Sequence, residues 1–152
     1  MESPDRRDKK VETGHRRILE RDLFLFLLDM EVKRARRYQN FLSILILKLV
    51  RNSLGNSDEG LEACYSMLVG LLNEEMRESD IIGSLAEDGL IVLLPYADIT
   101  AGSIVRNRFE ALLKYYDLKG NGYEVSVRQV GFPTNGTSSI DLIRKAGNGE
   151  IA

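Results

Sequence analysis

A chain of 152 residues, 43% hydrophobic and 29% charged, has the length and apolar content for one domain with a sizeable core and is too short for two. Its formal net charge of −2 argues against a dedicated nucleic-acid binder, which carries a strongly basic balance. The single cysteine, Cys64, excludes an internal disulfide, and no apolar run approaches bilayer-spanning length, so a cytoplasmic chain without membrane insertion is expected.

Residues 1–14 are polar and charged, with Asp5, Arg6, Arg7, Asp8, Lys9 and Lys10 in close succession. Such a composition buries no core and predicts a disordered tail or linker end, leaving 15–152 as the domain. From about His15 to Tyr38 the pattern is helical, with Leu23, Phe24, Leu27, Met30, Arg34, Ala35 and Tyr38 near a 3.6-residue period and no Pro or Gly to interrupt it. Within it Leu23–Leu28 is apolar on every side, which predicts a second surface against it, a homodimer mate or another protein. Lys33, Arg34, Arg36 and Arg37 make the second half basic, read as a solvated face.

Leu42–Val50 is a near-continuous run of branched apolar residues and reads as a central strand covered on both faces. Arg51–Gly60 is a loop by composition, and Leu61–Glu78 a second amphipathic helix with Leu61, Cys64, Tyr65, Leu68, Leu71, Leu72 and Met76 on its core side. In that setting Cys64 reads as a small buried residue, not a nucleophile. Ile81–Leu85 and Leu90–Leu94 are two short apolar strands folded back across Glu87, Asp88 and Gly89, an Asp-Gly turn expected to use positive φ at the glycine; Pro95 stops the second strand. Ile99–Tyr116 is a third helix, apolar at Ile104, Val105, Phe109, Leu112 and Leu113. After a turn at Lys119–Gly122, a strand runs from Tyr123 to Phe132, and Ser138–Lys145 forms a short final helix. The order strand–helix–strand–strand–helix–strand predicts an α/β (α+β) ferredoxin-like domain, a mixed sheet flanked by helices, with one extra N-terminal helix.

The segment Asp80–Pro95, D-I-I-G-S-L, a five-residue turn and an apolar strand ending in L-P, resembles the GGDEF (diguanylate cyclase) family, whose fold is of this nucleotide-cyclase type. The resemblance extends over roughly Arg21–Ala146. E-x-x-R-A-R-R-Y is similar to the family's opening helix, and Ser126–Pro133 to its S-I-G-I-A-x-x-P strand with Arg128 where a glycine stands. The signature pentapeptide falls on Ala86, Glu87, Asp88, Gly89 and Leu90. The family joins two GTP molecules into cyclic di-GMP with divalent metal held by acids, one in an L-D-x-D segment and one in the pentapeptide. Here the first segment is Leu47-Lys48-Leu49-Val50 and the pentapeptide glutamate is Gly89. The resemblance therefore implies no cyclase activity, no metal and no cofactor. Lys48 reads as a strand-end lysine reaching solvent, the alternative being an ammonium that holds phosphate.

The family's second, non-catalytic inhibitory site binds cyclic di-GMP through R-x-x-D just upstream of the pentapeptide. Arg77-Glu78-Ser79-Asp80 matches it, with Asp80 six residues before Ala86. A guanidinium contacts guanine or phosphate bidentately and a carboxylate accepts from the guanine edge. A helix end is expected to keep both exposed. A further arginine from the next helix completes the pocket, with Arg108 and Arg106 as candidates. The expectation is a cyclic di-GMP receptor that signals through protein contacts. The alternative is a nucleotide-independent interaction scaffold in which Arg77 and Asp80 are a surface ion pair.

Overall fold

The computed structural model describes residues 18–52, 58–86 and 88–147; the expected tail at 1–14, residues 53–57 of the predicted loop and Glu87 lie outside them. Helix α1 spans Arg21–Tyr38 and so begins later than its periodicity suggests. The residues before it run along strand β2 (Ile81–Ala86) instead: Leu19 N–H donates to the Ile82 carbonyl at 2.9 Å and Ser84 N–H to the Leu19 carbonyl at 2.8 Å. Basic Arg36 and Arg37 lie in the last turn, where they complement the negative end of the helix dipole, and Gln39 ends the helix in the left-handed region at φ 58° with its N–H donating to the Ala35 carbonyl. The buried face is Phe24, Leu28, Val32 and Ala35. That corrects the phase read from sequence: Leu23, Met30 and Tyr38 point outward, and Phe26 is 61% exposed. Six apolar residues in a row carry no phase of their own, so the branched and small residues further along decided it.

Strand β1 (Leu42–Arg51) is the sheet's centre, with β3 (Gly89–Pro95) on one side and β4 (Tyr123–Phe132) on the other, in the order β2-β3-β1-β4. All three strand pairings are antiparallel. The expected mixed sheet is met only by the parallel bridge of Leu19 to Gly83. This is the ferredoxin-like arrangement expected from the element order. Alternation along β1 divides the core. Leu45, Leu47 and Leu49 pack under helices α2 (Asp58–Glu75) and α3 (Ile99–Leu113), and Ile44 and Ile46 pack under α1 and α4 (Ser139–Gly147). On α2 the expected core side holds, with Cys64, Leu68, Leu71, Leu72 and Met76 buried. On α3 Phe109 is buried, but Ile104 is 61% exposed and belongs to the outer face.

Two glycines set how closely helices approach the sheet. A Cβ on Gly83 would lie 2.7 Å from Phe24 Cδ2, so only glycine lets α1 settle on β2. A Cβ on Gly102 would lie 2.6 Å from Ser43 Oγ and from Gln129 Nε2, which fixes α3 against β1 and β4. The Asp98 carboxylate caps α3 by accepting from Ala101 N–H at 2.8 Å. The hairpin departs from expectation in one respect. Gly89 is not at positive φ; among the described glycines only Gly122, at 98°, is. Gly89 lies inside β3, and the reversal includes a register shift between Ser84 and Ala86.

Candidate functional site

Helix α2 ends at Glu75, five residues before the buried carboxylate of Asp80. Asp80 accepts from the Arg77 backbone N–H at 2.7 Å, from Arg77 Nη2 at 2.9 Å and from Arg77 Nε at 3.2 Å. The return bond, Asp80 N–H to the Arg77 carbonyl at 3.0 Å, closes the turn into β2. Arg77 Nη2 also donates to the Pro95 carbonyl at 3.1 Å, tying the end of α2 to the end of β3. The Asp80 side chain is 2% exposed and that of Arg77 55%. The expectation that both face solvent therefore fails for Asp80. Its oxygens serve the turn and its neighbouring arginine, and the carboxylate does not reach a base edge from where it lies.

Rotation along helix α3 sends its two arginines to different places. Two residues apart, they diverge by about 200° around the helix. Arg108 leans onto the end of α2, with Nη2 donating to the Glu75 carbonyl at 3.3 Å and Nε 3.7 Å from Glu75 Oε1. Arg106 points the other way, 3.6 Å from Glu110, into a depression it shares with β4 and α4. Arg77 and Arg108 are thus brought to one place, and Arg106 is not part of it. In the two ion pairs at the end of α2 the acid is the more buried partner, with Glu75 28% and Asp80 2% exposed against 51% for Arg108 and 55% for Arg77; Glu74 and Glu78 of the same stretch are exposed. The two ion pairs sum to zero charge and present two half-exposed guanidinium groups, a chemistry suited to phosphate oxygens or a guanine edge, with the exposed carboxylates of Glu74 and Glu78 in the same stretch. Neither Glu75 nor the Pro95 carbonyl carries a sequence signal for these roles, since each acts only through a partner distant in the chain.

At the pentapeptide the geometry brings the expected positions together. Lys48 and Gly89 are direct cross-strand partners, and Gly89 pairs with Ala86 on its other side. Lys48 is exposed, as its strand-end reading requires, and Val50 is 48% exposed on the same face. The Asp88 carbonyl accepts from Leu49 N–H at 2.8 Å, and Leu90 is fully buried. An ammonium facing a residue without a side chain supplies no oxygen to a divalent cation, so these positions do not fit a metal. Among the described residues no three His, Cys, Asp or Glu cluster as a metal site would require. Burial pushes the Cys64 thiol up, away from the thiolate a nucleophile needs, in keeping with its reading as a core residue.

No protein-family model matches the chain, and no curated protein does. Solved structures do. A DGC protein from Thermotoga maritima superposes with a TM-score of 0.74 at 18% identity, covering 88% of this chain and 95% of that one. The GGDEF domain of FimX from Pseudomonas aeruginosa gives 0.69 at 17% identity, with 86% and 85% covered. The GGDEF domain of DgcB from Caulobacter crescentus, solved with c-di-GMP, gives 0.65 at 10% identity, with 86% and 80% covered. The fold is therefore that of GGDEF domains, as the resemblance implied.

Proposed function

We propose that this GGDEF-fold chain makes no cyclic di-GMP but binds it, through Arg77 and Arg108 at the end of α2, and passes the signal on by protein contacts. The observation that carries this reading is the pair of half-exposed guanidinium groups, each paired with a more buried acid. The solved domains of the same fold that hold cyclic di-GMP support it. Asp80 has a different part from the one its motif suggests: it is a positioning residue that holds Arg77 in place. The lack of catalysis rests on Lys48 opposite Gly89, where a divalent metal finds no oxygen ligand.

Calorimetric titration of the purified chain with cyclic di-GMP tests the proposal. Binding is expected to fall about 10- to 150-fold in Arg77→Ala and in Arg108→Ala, each losing a charge-assisted contact worth roughly 1.5–3 kcal/mol. Affinity is also expected to fall with added salt, because the ligand carries two phosphate charges. An absence of heat and of any chemical-shift change in the parent refutes the receptor reading.

A second reading has its own observation. Leu23, Phe26 and Met30 form an exposed apolar stripe on α1, at 39%, 61% and 51% exposure. A stripe of this kind fits a second copy of the chain or a protein partner, and the domain would then act as a scaffold without nucleotide.

A further inference from the structure

The sheet has two edges, and the chain treats them differently. The β2 edge is covered by Leu19, which exchanges backbone hydrogen bonds with Ile82 and Ser84. Among the described residues the β4 edge is closed only at its ends. Gly131 N–H donates to the Asn135 side-chain oxygen at 2.8 Å, its carbonyl accepts from Asn135 N–H at 2.8 Å, and Tyr123 N–H donates to the Leu118 carbonyl at 2.8 Å. Tyr123 and Gly131 thus turn their backbone groups away from β1. In an antiparallel strand alternate residues share that orientation, which assigns it to Val125, Val127 and Gln129 as well. The backbone groups of these three have no hydrogen-bond partner among the described residues.

Residues 126–129 of this stretch line a depression of about 440 Å³ whose walls are basic. Arg128 shares the face of Ile46, its partner in β1, and lies beside Lys145 of α4. Arg106 of α3 closes the other wall; its Nε is buried without a hydrogen-bond partner, with Glu110 3.6 Å away. Cations on an edge strand guard against pairing with a second copy, since a self-paired edge would gather two sets of Arg106, Arg128 and Lys145 at one seam. The same cations favour a strand of opposite charge.

We propose that the β4 edge, from Val125 to Gln129, is a docking site for an extended acidic peptide, which adds a strand to the sheet by backbone pairing and sets its carboxylates against Arg128 and Lys145. Backbone bonds supply affinity in such strand addition, and alternate side chains supply selectivity. The site lies apart from Arg77 and Arg108 and does not depend on nucleotide binding.

The test uses the whole chain, isotope-labelled for NMR, and a blocked synthetic heptapeptide Thr-Glu-Val-Glu-Val-Glu-Thr, with the matching lysine peptide as control. Saturable shifts at residues 125–129 are expected, with new exchange protection at the amides of Val125, Val127 and Gln129. Arg128→Glu, confirmed folded by its spectrum, is expected to weaken the glutamate peptide at least about fivefold and to reverse the preference toward the lysine peptide, since charges opposed across a strand pair are read in this way. Equal binding of both peptides, or no shift at millimolar peptide, overturns the proposal. So does protection of those three amides in the free protein, which means the edge is already covered. Shifts with inorganic pyrophosphate but not with the peptide mean a small-anion site instead, and a concentration-dependent dimer seated on β4 means a second copy; either also overturns it.

Discussion

Replacing Asp80 with alanine separates a positioning carboxylate from one that reads a ligand. The substitution removes three charge-assisted contacts at 2.7, 2.9 and 3.2 Å from a side chain only 2% exposed. Breaking a fully buried ion pair costs about 3–5 kcal/mol, because the remaining charge is stranded. Here Arg77 is half exposed and rehydrates, which removes part of that penalty. What remains is the orphaned Arg77 backbone N–H and the lost anchor between α2 and β3, together about 2–4 kcal/mol. At roughly 2–4 °C per kcal/mol for a domain of this size, the melting temperature is expected to fall by about 5–15 °C. Differential scanning calorimetry measures that fall, and cyclic di-GMP titration below the transition measures binding in the same sample. A drop under about 2 °C together with complete loss of ligand binding would falsify the positioning role and return Asp80 to the base edge.

Gly89→Glu is expected to fold and to form no cyclic di-GMP from GTP with Mg²⁺ or Mn²⁺. The new Cβ lies 3.2 Å from Leu85 Cβ, and the new carboxylate stands opposite Lys48, which draws it into an ion pair; any product in a clean single-turnover assay refutes this. Phe26→Glu is expected to reduce any self-association seen by light scattering while changing stability by no more than about 0.5 kcal/mol, since the ring is 61% exposed. A parent that stays monomeric at high concentration leaves the stripe to a heterologous partner. Gly83→Ala is expected to cost about 1–3 kcal/mol in denaturant titrations, because its Cβ would lie 2.7 Å from the Phe24 ring; an unchanged midpoint would show that α1 yields freely.

The sequence carried the sheet well because its signals were local. The branched run of β1 and the bounds of β4 needed only burial and alternation, and the Asp-Gly pair marked the reversal between β2 and β3 even though Gly89 does not take the backbone angle expected of it. Signals that depend on a distant partner were not legible. The pairing of Asp80 with Arg77 was legible three residues away, but the burial of Asp80 was not, nor the hold that Pro95, fifteen residues later, has on that arginine. Arg106 and Arg108 looked interchangeable until α2 lay against one side of their helix. Lys48 and Gly89 became neighbours only through the register of β1 on β3.

The contact of Gly102 with Ser43 has an effect well beyond its own surroundings. Ser43 is fully buried and its hydroxyl donates to the Ala97 and Asp98 carbonyls at 2.9 and 3.0 Å, so it cannot give way. With that hydroxyl seated where a Cβ on residue 102 would have to go, α3 has one rotational setting on the sheet. Each residue along a helix turns by about 100°, so the setting fixes where every later side chain aims. It directs Arg108 toward the end of α2 and Arg106 toward the β4 edge. The bare backbone of Gly102 thus acts as a key in a slot, assigning two arginines of one helix to two separate surfaces.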